Sequence, residues 1–451
     1  MRISVIGCGY LGTVHAEALS ALGHDVTAVD TDRDRIHQLS CGGVPFFEPG
    51  LTPLLDAGRR AGTLRFTSDV AEVADCDVHF LCVGTPQQKT THHADLTHVF
   101  SAVEALAPHL REGSVVAGKS TVPAGTSATL RRLLAGTGAD LAWNPEFLRQ
   151  GTAVDDSLHP DRLIYGVAEG AAGARTAGVL DEVYAPLLAA GVARLVTGFT
   201  TAELAKSAAN AFLALKVSYM NGIAEICDGV GADVSALAGA IGLDPRIGGK
   251  YLNAGAGFGG GCLPKDIRSL RAQAHDADAH SLAALLGLVD DMNTEARRRI
   301  HDLARHMCGG ALSARRITVL GAAFKPHTDD VRDSPSIDIA LQLARSGAAV
   351  TITDPQALPT ACLNYPQLHF EADTVQALRG AELTILLTDW PQYRALDPSD
   401  TAAVVSRRAI LDGRNALPSN AWRSAGWDYR GIGRHAGSIT TAGTVRANVA
   451  V

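Results

Sequence analysis

Short apolar runs alternate with longer amphipathic segments along the first 200 residues of the chain. Residues 2–6 form the first run; glycines follow, and a helical pattern then extends to about Leu22. Similar runs predict further strands, with helical segments between them, at 26–29, 78–83, 115–117 and 163–167. Strands and helices that alternate in this way predict an α/β domain with a parallel, doubly wound sheet.

The pattern changes in the middle of the chain. Residues 201–227 predict one long helix, without glycine or proline before Gly222, and helical stretches continue to about 300. Apolar runs then return, around a predicted helix over 337–346, and predict strands at 316–320, 349–353, 385–388 and 409–411. The predicted fold class is α/β, with two Rossmann-like doubly wound domains joined by a central all-helical region. We expect domains over 1–200, 201–300 and 301–435, followed by a poorly ordered tail over 436–451.

The composition argues against several classes of protein. The formal net charge of −7 lacks the basic bias of a nucleic-acid binder or a membrane-surface anchor. The cysteines are scattered singly, which favours reduced thiols in the cytoplasm over a disulfide scaffold or a metal site. The apolar N-terminal segment is interrupted by His15 and Glu17, so we predict that it is not a signal peptide. No stretch of 18 uncharged apolar residues is present, so no membrane partner is expected.

A glycine motif follows the first predicted strand. Gly7, Gly9 and Gly12 have the spacing of a dinucleotide-binding turn. They permit close approach of a pyrophosphate, which the N-terminus of the next helix would bind. Asp30 ends the following strand; its carboxylate would bind the adenosine ribose and repel a 2′-phosphate, which favours NAD over NADP. Arg35 either stacks on the adenine or is a solvated helix charge.

A second glycine pattern, from Gly113 to Ser120, matches a phosphate-binding loop in spelling. A true loop of this kind follows a strand and leads into a helix, whereas the interior of this match, 115–117, is itself the predicted strand. We therefore reject nucleoside-triphosphate hydrolysis as the function.

Two polar side chains follow predicted strands. Thr121 lies just beyond the strand at 115–117 and is placed to meet a cofactor or substrate, because ligands bind at the carboxyl ends of parallel strands. Glu146 lies in the segment 144–153, after another presumed strand. This carboxylate is either a general base or a helix-start residue, and the segment alone does not decide between the two.

The predicted helix over 201–227 carries Lys206 and Asn210 four residues apart, and therefore on one face. Apolar side chains lie beside them as well as on the opposite side of the helix, where they are Leu204, Ala208, Phe212, Leu215 and Tyr219. We therefore expect the whole helix to be buried. A buried lysine and asparagine need polar partners, which favours a functional site over a lysine that extends to solvent.

The loop over 255–261 leads to Cys262. Its five glycines have no use in a packed core, but they permit unusual backbone angles and close approach of a ligand. Lys265 and Asp266 follow closely, and the lysine would favour the nucleophilic thiolate form of the cysteine. The loop therefore predicts a catalytic cysteine rather than a small buried apolar residue.

Together these motifs resemble the UDP-glucose/GDP-mannose 6-dehydrogenase family over about residues 1–433. The residues that carry the resemblance are, in order, Gly7 to Gly12 with Asp30, Thr85, Thr121, Glu146, Glu203 with Lys206 and Asn210, the Cys262 loop, Phe324 and Lys325 with Asp330 and Arg332, and Asp412 to Asn415. An ordered set of this size is highly specific. The resemblance implies that the central helices form the interface of a homodimer or a higher homo-oligomer.

The resemblance implies a four-electron oxidation of carbon 6 of a nucleotide sugar, from alcohol to acid, with two NAD reduced. Cys262 would attack the aldehyde to give a thiohemiacetal. A second hydride transfer would turn this into a thioester, which water hydrolyses.

The resemblance also implies roles for the side chains around the cysteine. Lys206 and Asn210 would stabilise oxyanions. Asp266 and Thr121 would hold the catalytic water, and Glu146 would assist hydrolysis. The implied NAD-binding residues are Gly7, Gly9, Gly12, Asp30, Arg35, Thr85, Thr121, Lys265 and Arg332. The implied substrate-binding residues are Glu146, Phe147, Lys206, Asn210, Tyr251, Gly259, Phe324, Lys325 and Arg414, with Arg246 reaching the substrate of a partner subunit.

Two positions depart from the family's pattern. Gln150 stands where a second glutamate is usual, four residues after Glu146, and a glutamine cannot act as a base. Gly261 stands where a serine commonly precedes the cysteine, which removes a hydroxyl group. This chain therefore lacks the second carboxylate, and with it any role of that group in hydrolysis or cofactor contact.

The resemblance also bears on the substrate. The segments around Arg246, Tyr251 and 412–415 are similar to the UDP-glucose branch of the family, which implies oxidation of UDP-glucose to UDP-glucuronate. dTDP-glucose and GDP-mannose are the alternatives. Two rival functions are a single-hydride dehydrogenase of hydroxy acids and a catalytically inactive NAD sensor. The Cys262 loop argues against the first rival, and the intact Lys206, Asn210 and Asp266 argue against the second.

Overall fold

The structure is a computed structural model, and it describes residues 1–88 and 91–434. The chain forms two compact units. The first unit comprises 1–212, 261–288 and 326–329, and the second comprises 213–260, 289–325 and the chain from 330 onward. The tail expected over 436–451 lies outside the described residues. The three domain boundaries predicted from sequence stay a prediction, because the two units divide the chain inside its long central helices.

The described part of the first unit contains one eight-stranded sheet. Its strands are β1 Arg2–Ile6, β2 Asp25–Val29, β3 Leu64–Thr67, β4 Val78–Leu81, β5 Val115–Gly118, β6 Asp140–Trp143, β7 Arg162–Val167 and β8 Ala193–Gly198. Their order across the sheet is β3-β2-β1-β4-β5-β6-β7-β8. The first six strands of this order pair in parallel, which puts their carboxyl ends along one edge.

One part of this sheet differs from the fully parallel arrangement that was predicted. β7 pairs antiparallel with β6, at Trp143 and Gly166, and β8 then runs parallel to β7. The connection from β6 to β7 contains only the six-residue helix Ala153–Leu158 and enters β7 from the end of the sheet at which β6 finishes. A parallel pairing would have needed a crossover back along the full length of the strands.

Helices cover this sheet. They are α1 Tyr10–Ala21, α2 Arg33–Ser40, α3 Leu51–Ala61, α4 Thr97–Leu106, α5 Thr126–Leu133, α6 Ala153–Leu158, α7 Gly170–Val183 and α8 Ala185–Ala189, with 3-10 turns at Val70–Val73 and Ala107–His109. β4 and β5 are buried at every position, because a central parallel strand is covered on both faces. This burial explains why central strands were predicted as continuous apolar runs.

The middle of the chain is helical, as predicted. Its helices are α9 Phe199–Val230, α10 Val234–Gly242, α11 Leu263–Asp276 and α12 His280–Met307. One side of α9 is exposed in the single chain, with Phe212 and Tyr219 61% and 54% exposed. The expectation that α9 would be buried all round is therefore not met within one chain. None of the helices in 1–88 and 91–434 is long and apolar enough to cross a membrane.

The second unit contains a six-stranded parallel sheet within the described residues. Its strands are β9 Arg316–Leu320, β10 Ala349–Thr353, β11 His369–Phe370, β12 Leu383–Leu386, β13 Ala409–Asp412 and β14 Asp428–Gly431. Its helices are α13 Pro335–Arg345, α14 Leu358–Asn364, α15 Thr374–Leu378, α16 Pro391–Arg394, α17 Pro398–Ala402 and α18 Ser419–Ser424. The order β11-β10-β9-β12-β13-β14 repeats the order of the first six strands of the other sheet. The predicted fold class, two doubly wound α/β domains and a central helical region, is confirmed.

Candidate active site

The glycine motif forms the turn between β1 and α1. Gly7 has a φ of +97°, and a Cβ on Gly12 would lie 1.7 Å from the Gly7 carbonyl oxygen. Only glycine at position 12 lets the helix approach the strand this closely. Gly9 begins α1 without a side-chain cap, so the first amide groups of the helix are not covered by a capping side chain. These features fit the pyrophosphate of a dinucleotide.

Asp30 lies at the end of β2, beside this turn. Its Oδ2 accepts a 2.7 Å hydrogen bond from the Cys8 amide and a 3.1 Å hydrogen bond from the Arg35 guanidinium. Arg35 also pairs with Asp32. The Arg35 guanidinium is therefore held beside Asp30, and stacking on an adenine would require it to leave these carboxylates.

The carboxyl ends of the central strands carry the predicted polar residues. Thr85 follows β4 and Thr121 follows β5, and the Thr85 hydroxyl donates a 2.8 Å hydrogen bond to the Thr121 carbonyl. Glu146 follows β6 on the same edge of the sheet. The structure thus brings these three residues together beside the glycine turn of β1, where an open α/β sheet binds its ligands.

Glu146 forms an ion pair with α9. Lys206 Nζ lies 3.2 Å from Glu146 Oε1, and both side chains are almost fully buried. The second carboxylate oxygen accepts a 2.7 Å hydrogen bond from the Leu148 amide. Burial would lower the pKa of Lys206, but the charges of Glu146, Cys262 and Asp266 more than offset burial and raise it. Lys206 is therefore a fixed cation, which suits the stabilisation of an oxyanion.

Phe147, the next residue, packs its ring between two cations. The Arg162 guanidinium lies 3.9 Å and Lys206 Nζ 5.3 Å from the ring centroid. These contacts fix the backbone that carries Glu146.

Asn210 lies one turn of α9 beyond Lys206 and contacts α11. Its Nδ2 donates a 2.6 Å hydrogen bond to Asp266 Oδ2, and Lys265 Nζ lies 2.8 Å from Asp266 Oδ1. The Asp266 side chain is 1% exposed. Asn210, Lys265 and Asp266 therefore form one connected polar cluster on α9 and α11, with Lys206 one helical turn before Asn210. At least 55 residues separate the α9 residues from the α11 residues in sequence.

Cys262 is the residue that precedes α11, and its side chain is accessible to solvent. Burial of the surroundings raises the pKa of its thiol, and the charges of Asp266 and Glu146 raise it further. Lys206 and Lys265 act in the opposite direction. The expected effect of Lys265 is thus present, but burial and the two carboxylates outweigh it, and the pKa of the thiol is raised.

Lys119 belongs to the rejected phosphate-loop match from Gly113 to Ser120, and no site role was predicted for it. Its ammonium is buried, where it donates hydrogen bonds to Asn144 Oδ1 at 3.0 Å and to the Tyr184 hydroxyl oxygen at 3.3 Å. Burial lowers the pKa of Lys119 to about 8. Asn144 stands two residues before Glu146, so these bonds hold the start of the loop that carries the carboxylate. A lysine directly after a buried strand was the sequence feature that could have drawn attention to this role.

The predicted nucleotide-sugar residues lie in the second unit. A Cβ on Gly260 would lie 2.8 Å from the Phe324 ring, so the ring packs directly against the glycine-rich loop. Lys325 Nζ lies 5.6 Å from the centroid of the same ring. Gly259 is buried, and Tyr251 is half-buried with a φ of +65°.

Arg414 follows β13 and organises this loop. Its guanidinium donates to the carbonyls of Leu387, Gly257 and Phe324, at 2.6, 2.9 and 3.3 Å. These three bonds engage the side chain that was expected to bind substrate. Its structural contribution is therefore to connect the glycine-rich loop with the ends of β9 and β12.

Two predicted arginines form ion pairs with neighbouring aspartates. Arg332 pairs with Asp330 and is 64% exposed, and Arg246 pairs with Asp244 and is 87% exposed. Both belong to the second unit. Their predicted contacts, with NAD and with a partner's substrate, stay predictions.

Comparison with protein-family models divides the chain into three matched segments. Models of the UDP-glucose/GDP-mannose dehydrogenase family match the chain in three segments: the NAD binding domain at residues 1–188, the central domain at 200–295 and the UDP binding domain at 318–419. The segment that contains the glycine turn and Asp30 thus matches the NAD binding domain.

Individual proteins are similar over almost the full chain. The UDP-glucose 6-dehydrogenase of Rhizobium meliloti (strain 1021) is 39% identical over 441 residues, which cover 96% of this chain and 100% of the relative. That of Pseudomonas aeruginosa is 36% identical over 449 residues, 96% of this chain and 98% of the relative. The solved structure of a UDP-glucose dehydrogenase from Pyrobaculum islandicum has a TM-score of 0.86 at 34% identity, and covers 96% of this chain and 98% of that one.

Proposed function

Because the chain belongs to the UDP-glucose/GDP-mannose dehydrogenase family, we propose that it oxidises UDP-glucose to UDP-glucuronate with NAD. The observation that carries this proposal is the polar cluster of the first unit. Lys206, Asn210 and Asp266 are buried, and Asn210 is hydrogen-bonded to Asp266. They lie near Cys262, the residue that precedes α11. With Lys265 and Glu146, the cluster contains two lysine cations, one amide and two carboxylates. Such groups are costly to bury, so their presence together indicates a chemical use.

NAD fits the first unit through the glycine turn and Asp30. The amide groups at the start of α1 would bind the pyrophosphate, and Asp30 the adenosine ribose. NAD, when bound, accepts a hydride from carbon 6 in each of two oxidations. Thr85 and Thr121, at the ends of β4 and β5, line the same edge of the sheet.

In the first oxidation, the sugar's carbon 6 alcohol becomes an aldehyde. The carbon loses a hydride to the nicotinamide, and its hydroxyl group loses a proton to solvent water. Lys206 and Asn210 would donate hydrogen bonds to the oxygen on carbon 6 as negative charge develops there. Both donors are held in place before substrate binds, which saves the cost of ordering them during the reaction.

In the second stage, the sulfur of Cys262 adds to the aldehyde carbon and forms a thiohemiacetal. Loss of a second hydride and a proton converts this centre into a thioester. Since burial raises the pKa of the Cys262 thiol, we infer that the thiol proton leaves as the sulfur attacks, and the aldehyde oxygen gains a proton to become the hydroxyl group of the thiohemiacetal.

Hydrolysis completes the reaction. A water molecule held by Asp266 and Thr121 adds its oxygen to the thioester carbon, and Glu146 accepts a proton from it. The carbon–sulfur bond then breaks and its electrons stay on the sulfur of Cys262. The ion pair with Lys206, at 3.2 Å, holds the Glu146 carboxylate in place for this proton transfer.

The proposal includes a homodimer built on the middle of the chain. Along α9, Leu204, Phe212 and Tyr219 present apolar surface that the single chain leaves exposed. Exposed apolar surface along a long helix suits an isologous contact between two copies of the chain. Arg246 would then reach the substrate of the partner subunit. A location in the cytoplasm, as the scattered cysteines indicate, is part of the same proposal.

Product analysis of a matched pair of proteins tests the chemistry. The wild type, supplied with UDP-glucose, dTDP-glucose or GDP-mannose, should form two NADH per sugar and an acid with UDP-glucose. Cys262→Ala should still bind UDP-glucose and NAD, but make almost no acid, because only the second oxidation needs the sulfur. NADH counting and mass spectrometry of the products decide the matter. One NADH per sugar in the wild type, or near wild-type acid formation by Cys262→Ala, would contradict the covalent mechanism; preference for another nucleotide would change only the substrate.

A further inference from the structure

We propose that Glu203 and Gln273 are positioning residues for thioester hydrolysis. They fasten the loop over 121–127, which we call the Thr121 loop, to the two helices that carry the catalytic side chains. The proposal rests on the function proposed above, in which Thr121 holds the hydrolytic water. Neither residue contacts the reacting atoms in this account.

Glu203 fastens the loop to α9. Its Oε2 accepts a 2.6 Å hydrogen bond from the Gly125 amide. Its Oε1 accepts hydrogen bonds from the amide and the hydroxyl of Ser127, both at 2.6 Å. The side chain is 1% exposed, so water does not compete for these bonds. A buried carboxylate with three donors is a rigid attachment.

The Thr121 loop lacks this attachment in its own sequence. α5 begins after Gly125, which has a φ of +98° and provides no side-chain cap. Glu203, from a different helix, supplies the acceptor that a capping residue would otherwise provide. Lys206 follows Glu203 by three residues on α9, so the same turn of helix that holds the loop also presents the catalytic cation.

Gln273 fastens the loop to α11. Its Oε1 accepts a 2.9 Å hydrogen bond from the Ala124 amide, three residues after Thr121. α11 also carries Lys265 and Asp266. The Thr121 loop is therefore bonded at one end to the Lys206 helix and in its middle to the Asp266 helix.

This arrangement links the two groups that must hold one water. A water bonded to both Thr121 and Asp266 needs a fixed distance between their side chains, and misplacement by about 1 Å can cost roughly 100-fold in rate. The bonds from Glu203 and Gln273 fix that distance. The side chains that act on carbon 6 in the oxidations, Lys206, Asn210 and Cys262, do not lie on the loop. Thr121 is also an implied NAD-binding residue, so the test uses saturating NAD.

Substitution of Glu203 by glutamine selectively loosens one end of the loop. One amide oxygen can still accept from Ser127, but the new NH₂ group faces the Gly125 amide, which is also a donor. Gln273→Leu removes the acceptor for Ala124 at nearly constant volume. Gln273→Glu retains that acceptor and serves as the conservative rescue. Glu17→Gln is the matched control, because Glu17 is also a buried carboxyl group of the first unit but has no hydrogen-bond partner among the described residues.

The test separates the oxidations from hydrolysis. Each variant is mixed with UDP-glucose and excess NAD, and NADH formation is followed from the first turnover. The reaction is then quenched, and the mass of the intact protein is measured by mass spectrometry. Glu203→Gln and Gln273→Leu should release a rapid burst of two NADH per active site, then turn over at least about tenfold more slowly. The intact mass should show the acyl adduct, and peptide mapping should place it on Cys262. Gln273→Glu and Glu17→Gln should show neither burst nor adduct.

The outcomes distinguish positioning from general damage. An unchanged steady rate in both variants overturns the proposal, as does a slow rate without burst or adduct, which would place the residues in the fold alone. If one variant does not fold, the other decides by the same readout. Failure of the proposed function looks different, because the wild type would then form no acid from UDP-glucose at all.

Discussion

Lys206 Nζ lies 3.2 Å from Glu146 Oε1, in an ion pair whose members are 6% and 12% exposed. A buried cation and a buried carboxylate each pay a large desolvation cost, so neither is stable there without the other. The negative charge of Glu146, on the loop after β6, therefore balances the positive charge of Lys206 on α9. Gln150, where the family usually has a second glutamate, leaves this balance undisturbed because it is neutral.

We predict that Gln150→Glu changes turnover by less than about tenfold, or roughly 1.4 kcal/mol of barrier. Glu146 and the water held by Asp266 suffice for hydrolysis in our mechanism, so a second carboxylate has no step of its own. Steady-state rates with saturating UDP-glucose and NAD give the comparison, with Gln150→Ala as the neutral control. A gain far above tenfold for the glutamate variant would show that the missing carboxylate is costly.

Asp30 should make NAD strongly preferred over NADP. In Asp30→Asn, the Arg35 guanidinium loses one of its two carboxylate partners, and the carboxylate at the end of β2 no longer repels a 2′-phosphate. The ratio of kcat/KM for NADP to that for NAD should therefore rise at least about tenfold, since a charged hydrogen bond contributes roughly 1.5–3 kcal/mol. Adding Arg35→Ala to this variant should remove most of the gain. Equal efficiency of the wild type with both cofactors would refute the role given to Asp30.

Exposed apolar residues on α9 should hold the dimer together. Phe212→Asp and Tyr219→Asp each place a charge on this surface and should shift the chain towards monomers at micromolar concentration, with loss of activity. Leu363→Asp is the control, because Leu363 is 81% exposed on α14 and lies outside the proposed interface. Sedimentation velocity measures the outcome. A stable and active wild-type monomer would contradict the proposed assembly.

Glu17 should make the folded chain less stable as pH rises. Burial raises the pKa of Glu17 from 4.5 to about 9, so between these values the folded chain keeps a proton that the unfolded chain has lost. The free energy of unfolding then falls with increasing pH across this window. Glu17→Gln removes the titration and should gain stability at pH 8, on the order of 1–3 kcal/mol, but little near pH 5. Denaturant unfolding at both pH values tests this, and equal gains at the two would exclude titration of Glu17 as the cause.

The sequence by itself determined the parts of the fold that depend on local pattern. The bounds predicted for β1, β9 and β10 agree with the structure. A central strand of a parallel sheet is buried on both faces, so most of its residues are apolar or small, and this pattern is visible without knowing its neighbours. The glycine turn was equally visible, because close packing at Gly12 demands glycine whatever the rest of the chain does.

The tertiary structure alone decided what depends on distant partners. β8 is an exposed edge strand without the pattern of a buried run, and nothing local indicated that β7 would run antiparallel to β6. The pairing of Lys206 with Glu146, 60 residues away, likewise appears only in three dimensions. A sequence shows which positions are polar, but burial and hydrogen-bond geometry, which come from packing, select the partners that those polar groups must find.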